Sequence, residues 1–500
     1  MKLKTNNLVE NHSRLILFFI VIAAAVLRIF FFTGMVFSDD AYYNQLAISL
    51  FNGNYPGEYI GYPIFLLRKF QTFLTSAGFF VLGTNEAGSI LFPYLFSVAS
   101  IPLIYIVAKS FSSNRTIALI SAFLLAIFPM DIICATLNFP DLIAAFFLNL
   151  GIFFLYKHHI SGKIYLSVLA GFSFSLSLFL KINFVFIAVL LFLLLAFSFF
   201  KRKRIEAGIM IALGIPFAAL LFEALLYNFF QSDFLYRLHI MRENFSYAYY
   251  DFFPNNLIVR KELADNYTSA LLLQWYLNIK SIFVRRFYLF LPAIALVQSF
   301  LSIRKKEDFP LTFWFIGLIV LYLFFTSSFT AYIPLDLTSG WYIYPLFFPA
   351  IILSSYFIYS QRRVVQIILI FLIMLFSLAM TFKLQDFFDE SNNDKLIKFL
   401  EDKNSAIIYT DHHTSYGINL IDGYPGSPRT KIFTGKDFSF KELNPGDMII
   451  FNADVVEELK LQKHSFPDFM ELQQPGFIET AKFGKFKVYI KKNFDLPPNQ

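Results

Sequence analysis

The sequence predicts an all-α polytopic membrane protein that carries a small α/β domain toward its C-terminal end. Three observations lead there. Of the 500 residues, 57% are hydrophobic and 15% charged, with a mean hydropathy of +0.58, a balance outside the range of ordinary soluble domains. The apolar residues, 68 phenylalanines among them, gather in runs of about 20, the length a helix needs to cross the hydrocarbon core. Polar sequence is confined to a few loops and to the stretch beyond Lys383.

By this measure about eleven spans follow, near 15–35, 90–108, 116–133, 141–156, 164–180, 183–200, 207–228, 284–301, 311–331, 342–359 and 364–382. Lys and Arg crowd the loops of one side: Lys2, Lys4 and Arg14; Lys109 and Arg115; Lys157 and Lys163; Lys201 to Arg204; Arg304 to Lys306; Arg362 and Arg363. The opposite loops hold Asp39, Asp40, Glu58, Glu86, Asp141 and Asp336. The positive-inside asymmetry puts the N-terminus in the cytoplasm and the C-terminal domain outside a plasma (inner) membrane. The first apolar run, Leu15 to Phe32, is long and lacks a small-residue cleavage site before the acidic pair, so it reads as an anchor and not a removed signal. The net charge of +7 comes largely from the cytoplasmic loops; it argues for orientation in a lipid bilayer and against nucleic acid as a partner. One cysteine, Cys134, excludes an intramolecular disulfide and a cysteine-based metal cluster.

Residues 1–383 are thus expected to form the transmembrane part, with outer loops near 36–89 and 229–280, and residues 384–500 the extracytoplasmic domain. In the first loop, Phe73 to Leu82 is too short to span and is expected in the interface as an amphipathic or re-entrant helix. In the tail, Ala406 to Thr410, Met448 to Phe451 and Phe486 to Ile490 read as strands, and Gly484-Lys485 offers a hairpin turn after Thr480–Phe483.

The residues able to carry chemistry gather on the outer side. Asp39-Asp40 follows the first span at the start of a short helix with Tyr42 and Tyr43. Capping of that helix explains both acids, yet a carboxylate that caps can also act as a general base, and its partner can orient an acceptor or help bind a divalent cation. Asp141, after Asn138-Phe139-Pro140, is either a first-turn carboxylate or a second acid facing the same cleft; Asp131 lies deeper in an apolar run and ranks lower. Lys181 follows from topology. Ile164 to Phe200 is too long for one span and both flanks, Lys163 and Lys201, belong to the positive side, so the chain must cross, turn at Lys181-Ile182-Asn183 and return. That sets Lys181 on the outer face, as a snorkelling lysine or as a cation for a phosphate. Arg285 and Arg286, also outer, are interfacial anchors or further phosphate contacts. Asp411-His412-His413 reads as a loop after a strand, without the partner spacing of a metal site. No Walker loop, dinucleotide fingerprint or zinc-protease helix is present. A carrier or flippase is the competing class, but transporters place polar groups near the midplane, and here Glu223 is the main charged residue within the spans.

The ordered set of motifs resembles the GT-C class of membrane glycosyltransferases, in the branch of protein O-mannosyltransferases and lipid A aminoarabinose transferase. Asp39-Asp40-Ala41-Tyr42-Tyr43, Ala47, Leu50, Gly53 and Gly61-Tyr62-Pro63 resemble the family's first outer loop. Pro129 with Asn138-Phe139-Pro140-Asp141 is similar to its second acidic site, and Gly171 with Lys181 to its glycine-then-lysine helix. The resemblance spans about residues 15 to 200. It implies a polyisoprenyl-phosphate sugar as donor and a lipid, glycan or protein as acceptor, with transfer on the extracytoplasmic side and inversion at the anomeric carbon. It implies Asp39 as catalytic base, Asp40 and Asp141 as residues that bind the acceptor or help shape the site, and Lys181 at the donor phosphate. Tyr43 and Tyr62 lie in its first-loop motif as further substrate contacts, and Arg285 and Arg286, beyond the stretch of resemblance, are candidate contacts from their place on the outer side. The chain departs from the family at Asp40, where many relatives carry Glu, and before Gly340-Trp341-Tyr342, where relatives often carry a basic residue for which Arg285 or Arg286 could substitute.

Overall fold

A computed structural model of the chain describes residues 3–56, 63–182, 184–202, 206–242, 267–305, 309–325, 334, 335, 337, 340, 342–388, 390–401, 407–421, 430–432, 443–452 and 477–491. Helices dominate. The chain opens with α1 (Leu3–Phe30), α2 (Asp39–Phe51), a 3-10 turn at Pro63–Leu67 and α3 (Lys69–Leu82). There follow α4 (Glu86–Ser112), α5 (Arg115–Ala126), α6 (Pro129–Cys134), α7 (Pro140–Ser161), α8 (Ile164–Leu180), α9 (Phe184–Arg202) and α10 (Ala207–Gln231). Beyond the second outer loop come α11 (Tyr267–Val284), α12 (Leu291–Lys305), α13 (Phe309–Phe324), α14 (Tyr344–Ser360) and α15 (Arg363–Phe387). The tail holds α16 (Glu390–Glu401), β1 (Ile408–Thr410), α17 (His412–Ile421), β2 (Thr430–Ile432), β3 (Met448–Asn452), β4 (Phe477–Phe483) and β5 (Phe486–Lys491).

Five described helices are long and apolar enough to cross a membrane: His12–Phe30 of α1, α4, α7, α10 and α15. Six shorter apolar ones accompany them. Local chemistry sets their ends. Asn85 caps α4 by accepting from the Gly88 amide at 2.9 Å, and Asn114 caps α5 through the Thr116 amide at 2.8 Å. The expected span 116–133 is in fact broken. Pro129 forces the preceding Phe128 into extended backbone (φ −70°, ψ 117°), so α5 stops and α6 restarts at the proline. A second difference lies at 284–301. There α11 begins within the stretch expected as outer loop, a 3-10 turn follows at Arg286–Tyr288, and α12 runs on from Leu291. The hydropathy of α11 is diluted by Gln274 and Asn278, which are buried here. Asn278 donates to the Leu335 carbonyl at 2.7 Å and accepts from the Leu337 amide at 3.0 Å, so the polar groups are satisfied inside protein.

The hairpin of α7 and α8 turns at Gly162, where φ is +70°. Gly151 lets α7 approach α8 closely, since a side chain there would run into the ring of Phe174, and Gly171 does the same between α8 and α10, where a side chain would meet Ile215. α8 then ends at Lys181 in extended backbone (φ −158°, ψ 148°), the turn that the length of the apolar run requires. α3 is short and one-sided: Gln71, Thr72, Leu74 and Thr75 are buried, while Phe73, Phe80, Val81 and Leu82 are exposed.

The tail sheet has the order β2-β1-β3-β5-β4, with β1 parallel to β2 and β3, and β5 antiparallel to β3 and β4. The expected strands lie within or beside β1, β3 and β5, and the hairpin turns at Gly484-Lys485 (Gly484 φ +52°). β2 is only three residues long and gave no pattern of its own. α17 packs against α2, so the tail sits on the helix that begins with the acidic pair.

Candidate active site

Ser38 precedes α2 without capping it by its side chain. Asp40 reaches back instead, its two carboxylate oxygens accepting the amides of Val36 and Ser38 at 2.7 Å each. It is buried, and burial pushes its carboxyl up to about 6 against the pull of those two amides and of Lys485. Asp40 therefore shapes the loop before the helix. Each of its oxygens thus accepts one amide of its own loop, and lone pairs remain on both for a further contact.

Asp39 is different. It stays open to water although much protein lies around it. That enclosure raises its carboxyl above the ordinary carboxylate range; Arg68 and Lys181 pull it back, and Asp141 pushes it further up. These four charged side chains, from α2, the residue before α3, the first turn of α7 and the end of α8, thus share one end of the helical bundle. Pro140 starts α7 and presents Asp141 in its first turn. Asp141 forms an ion pair with Lys181, and the Lys181 ammonium also lies 4.4 Å from the ring centre of Tyr342. The Arg68 guanidinium rests over Phe65 at 4.8 Å and Tyr43 at 5.5 Å. Tyr43 is fully buried, its hydroxyl without a hydrogen-bond partner among the described residues.

Sequence reasoning missed Arg68, although a signal existed: like Lys181, it is a cation on the side that charge asymmetry marks as acidic. Arg285 is half-buried beside Tyr288, on the wall that also holds Cys134; Arg286 is exposed. Tyr62 lies outside the described residues, as do Trp341 and residues 243–266 of the second outer loop.

Three other polar groups turn out to be architectural. Arg28 is fully buried and pairs with Asp131, which also accepts hydrogen bonds from Ser97 and Tyr344. Glu223 is thus not the main charge within the spans: Arg28, two residues from the end of α1, is concealed by the apolar run around it. Glu223 itself is bound by Arg237 at 2.6 and 2.9 Å. Asp411-His412-His413, expected as a loop, begins α17. Asp411 accepts from the Thr414 amide at 2.9 Å and its hydroxyl at 2.8 Å, a cap that starts the helix. His412 meets the Tyr42 hydroxyl at 2.6 Å, and the His413 ring meets that of Tyr42 edge-on. Among the described residues no three His, Cys, Asp or Glu side chains converge as a metal site.

No curated protein matches the chain in sequence. Residues 70–227 match the family model described as dolichyl-phosphate-mannose-protein mannosyltransferase. Among solved structures the chain is similar to ArnT from Cupriavidus metallidurans bound to undecaprenyl phosphate, with a TM-score of 0.57 and 13% identity over 96% of this chain and 99% of that one. The chain has the GT-C glycosyltransferase fold. A second GT-C neighbour is the archaeal oligosaccharyltransferase AglB from Archaeoglobus fulgidus in complex with an inhibitory peptide and a dolichol-phosphate, with a TM-score of 0.51 and 14% identity over 98% of this chain and 75% of that one. The neighbours thus share the fold of a multi-pass membrane protein with a small α/β domain at the C-terminal end, and the family model matches one stretch within it. The matched stretch 70–227 takes in Asp141 and Lys181 and begins after Asp39 and Arg68.

Proposed function

We propose that this protein is an inverting glycosyltransferase. It moves a sugar from a polyisoprenyl-phosphate donor to a hydroxyl or phosphate acceptor on the extracytoplasmic face of the plasma membrane, with its N-terminus in the cytoplasm. The observation that carries the proposal is one water-reachable carboxylate, Asp39, set within the field of two cations, Arg68 and Lys181, at one end of an apolar bundle. Neighbours holding undecaprenyl phosphate and dolichol-phosphate support the donor class.

The chemistry follows from charge. A hydroxyl acceptor attacks the anomeric carbon from the face opposite the phosphate, and Asp39 takes its proton as the new C–O bond forms. The bond between the anomeric carbon and the phosphate oxygen breaks with its electron pair leaving on the phosphate. Lys181 and Arg68 stabilise that growing charge. Asp141 holds the lysine in place through their ion pair, and Tyr342 walls it. Tyr43 supports Arg68 from below. Arg285 stands at the edge as a further phosphate contact, and Arg286, exposed, as a headgroup anchor. A phosphate acceptor is already ionised, and the demand on Asp39 as base then vanishes.

The test is transfer of label from a panel of polyprenyl-phosphate sugars by the purified protein, with Asp39→Asn as control. Transfer with inversion by the parent and loss of about 10²–10⁴-fold in the variant is expected. Parent-like transfer by Asp39→Asn with a hydroxyl acceptor refutes the base; lipid translocation in vesicles without any transfer would establish the carrier instead.

A further inference from the structure

The segment between α1 and α2 is held from two sides. From the membrane part, Glu86 accepts the Met35 amide at 2.7 Å, and Asp40 accepts those of Val36 and Ser38. From the tail, Asn393 donates to the Met35 carbonyl at 2.9 Å, and the Lys485 ammonium donates to the Val36 carbonyl at 3.1 Å. Val36 is thus bracketed, its amide by Asp40 and its carbonyl by a residue 449 positions away. Phe37, next in line, has the left-handed backbone (φ +54°) that a bulky residue adopts only when its surroundings impose it. Those surroundings come from the tail. The Phe37 ring packs edge-on against Phe486 at 5.5 Å and fills the space a side chain on Gly417 would need. Lys485 and Phe486 are consecutive and sit at the tip of the β4–β5 hairpin.

We propose that Lys485 is a positioning residue for Asp39: the hairpin tip of the C-terminal domain fixes the Val36–Ser38 backbone and so sets where the first residue of α2 points its carboxylate. The inference rests on the glycosyltransferase reading for its catalytic consequence and on geometry alone for the grip. Lys485 also faces Asp40 and Asp411 electrostatically, and its removal frees Asp40 to take up a proton more readily.

The experiment uses the full-length protein in lipid nanodiscs, with Lys485→Met and Lys485→Arg. Hydrogen–deuterium exchange reads the grip without reference to activity. At least tenfold faster exchange is expected for Lys485→Met in peptides covering 34–41, with α7 and α8 unchanged, and recovery in Lys485→Arg. Turnover of polyprenyl-phosphate sugar is expected to lose tenfold or more in kcat with the donor KM within about twofold of the parent. Unchanged exchange at 34–41, or parent kcat in a variant that has loosened, overturns the proposal. So does faster exchange spread evenly over 384–500, which marks a lysine that only stabilises its own domain. Parent-like turnover in Asp39→Asn would remove the catalytic reading separately, while local loosening in Lys485→Met would still uphold the grip.

Discussion

One step along a helix rotates a side chain by about 100°, and at the head of α2 that rotation sends Asp40 into its own loop and leaves Asp39 exposed to water. The two carboxylates respond differently to substitution. Asp40→Asn replaces one of two accepting oxygens with an amino group that confronts a backbone amide, so about 1–3 kcal/mol of stability is expected to go, read as a lower melting temperature in detergent. Asp39→Asn leaves melting near the parent and removes turnover. The pH dependence follows from the same contrast. A base must be ionised, burial raises Asp39, and Asp40 sits at about 6, so the rate falls as pH drops on a limb lying above the ordinary carboxylate value of about 4. Lys181 and Arg68 hold the Asp39 carboxyl down. Lys181→Met is therefore expected to shift the acid limb to higher pH and to cost about 10²–10³-fold in rate through the lost phosphate contact. A limb centred near 4 in the parent would exclude Asp39 from the rate. Lys181 could be singled out from sequence because it stands against the charge pattern of its side, and Asp39 because it opens a helix immediately after the first apolar run. The inward turn of Asp40 could not, since capping and catalysis ask for the same residue type at the same place.

Helices were legible wherever apolar length alone decided them, and obscured where polar residues find partners inside. α11 hid behind Gln274 and Asn278, and the Phe128–Pro129 break hid within an unbroken apolar run. Beside that break, α1, α4, α6 and α14 are joined by Arg28, Ser97, Asp131 and Tyr344. Arg28→Leu strands the Asp131 carboxylate in a dry interior and is expected to cost about 3–5 kcal/mol, whereas Arg28→Leu with Asp131→Leu recovers most of it; thermal melts of the four proteins of this cycle give the answer. The α7–α8 hairpin carries Asp141 at one helix start and Lys181 at the other helix end. Gly151→Leu, far from both, pushes against Phe174 and spreads the hairpin. Its expected signature is a loss of turnover exceeding its loss of stability.

Across the whole molecule, the contacts that matter most join residues hundreds of positions apart, such as Tyr42 with His412. Periodicity sees strands β1, β3 and β5 individually, but neither the β2-β1-β3-β5-β4 order nor the docking of α17 on α2 leaves a local trace. The proposed orientation has a direct check, helped by burial of the lone Cys134. A cysteine at exposed Glu479 should react with a membrane-impermeant maleimide on intact cells, and one at exposed Lys109 only after permeabilisation; the reverse pattern inverts the topology.

α3 turns Phe73, Phe80, Val81 and Leu82 outward and, from its other face, donates through Gln71 and Thr75 to Asn138 at 2.6 and 3.0 Å. Asn138 stands three residues before Asp141. The helix that the sequence leads one to expect at the bilayer interface is thereby hydrogen-bonded to the turn that precedes the acid paired with Lys181. A change in acyl-chain length creates hydrophobic mismatch, which is relieved by helix tilt and by local thinning or thickening of the bilayer, and a helix at the interface feels both. Membrane thickness becomes an input to the chemistry: turnover in a series of phosphatidylcholine bilayers is expected to pass through an optimum, and α3 is the gauge that reads it.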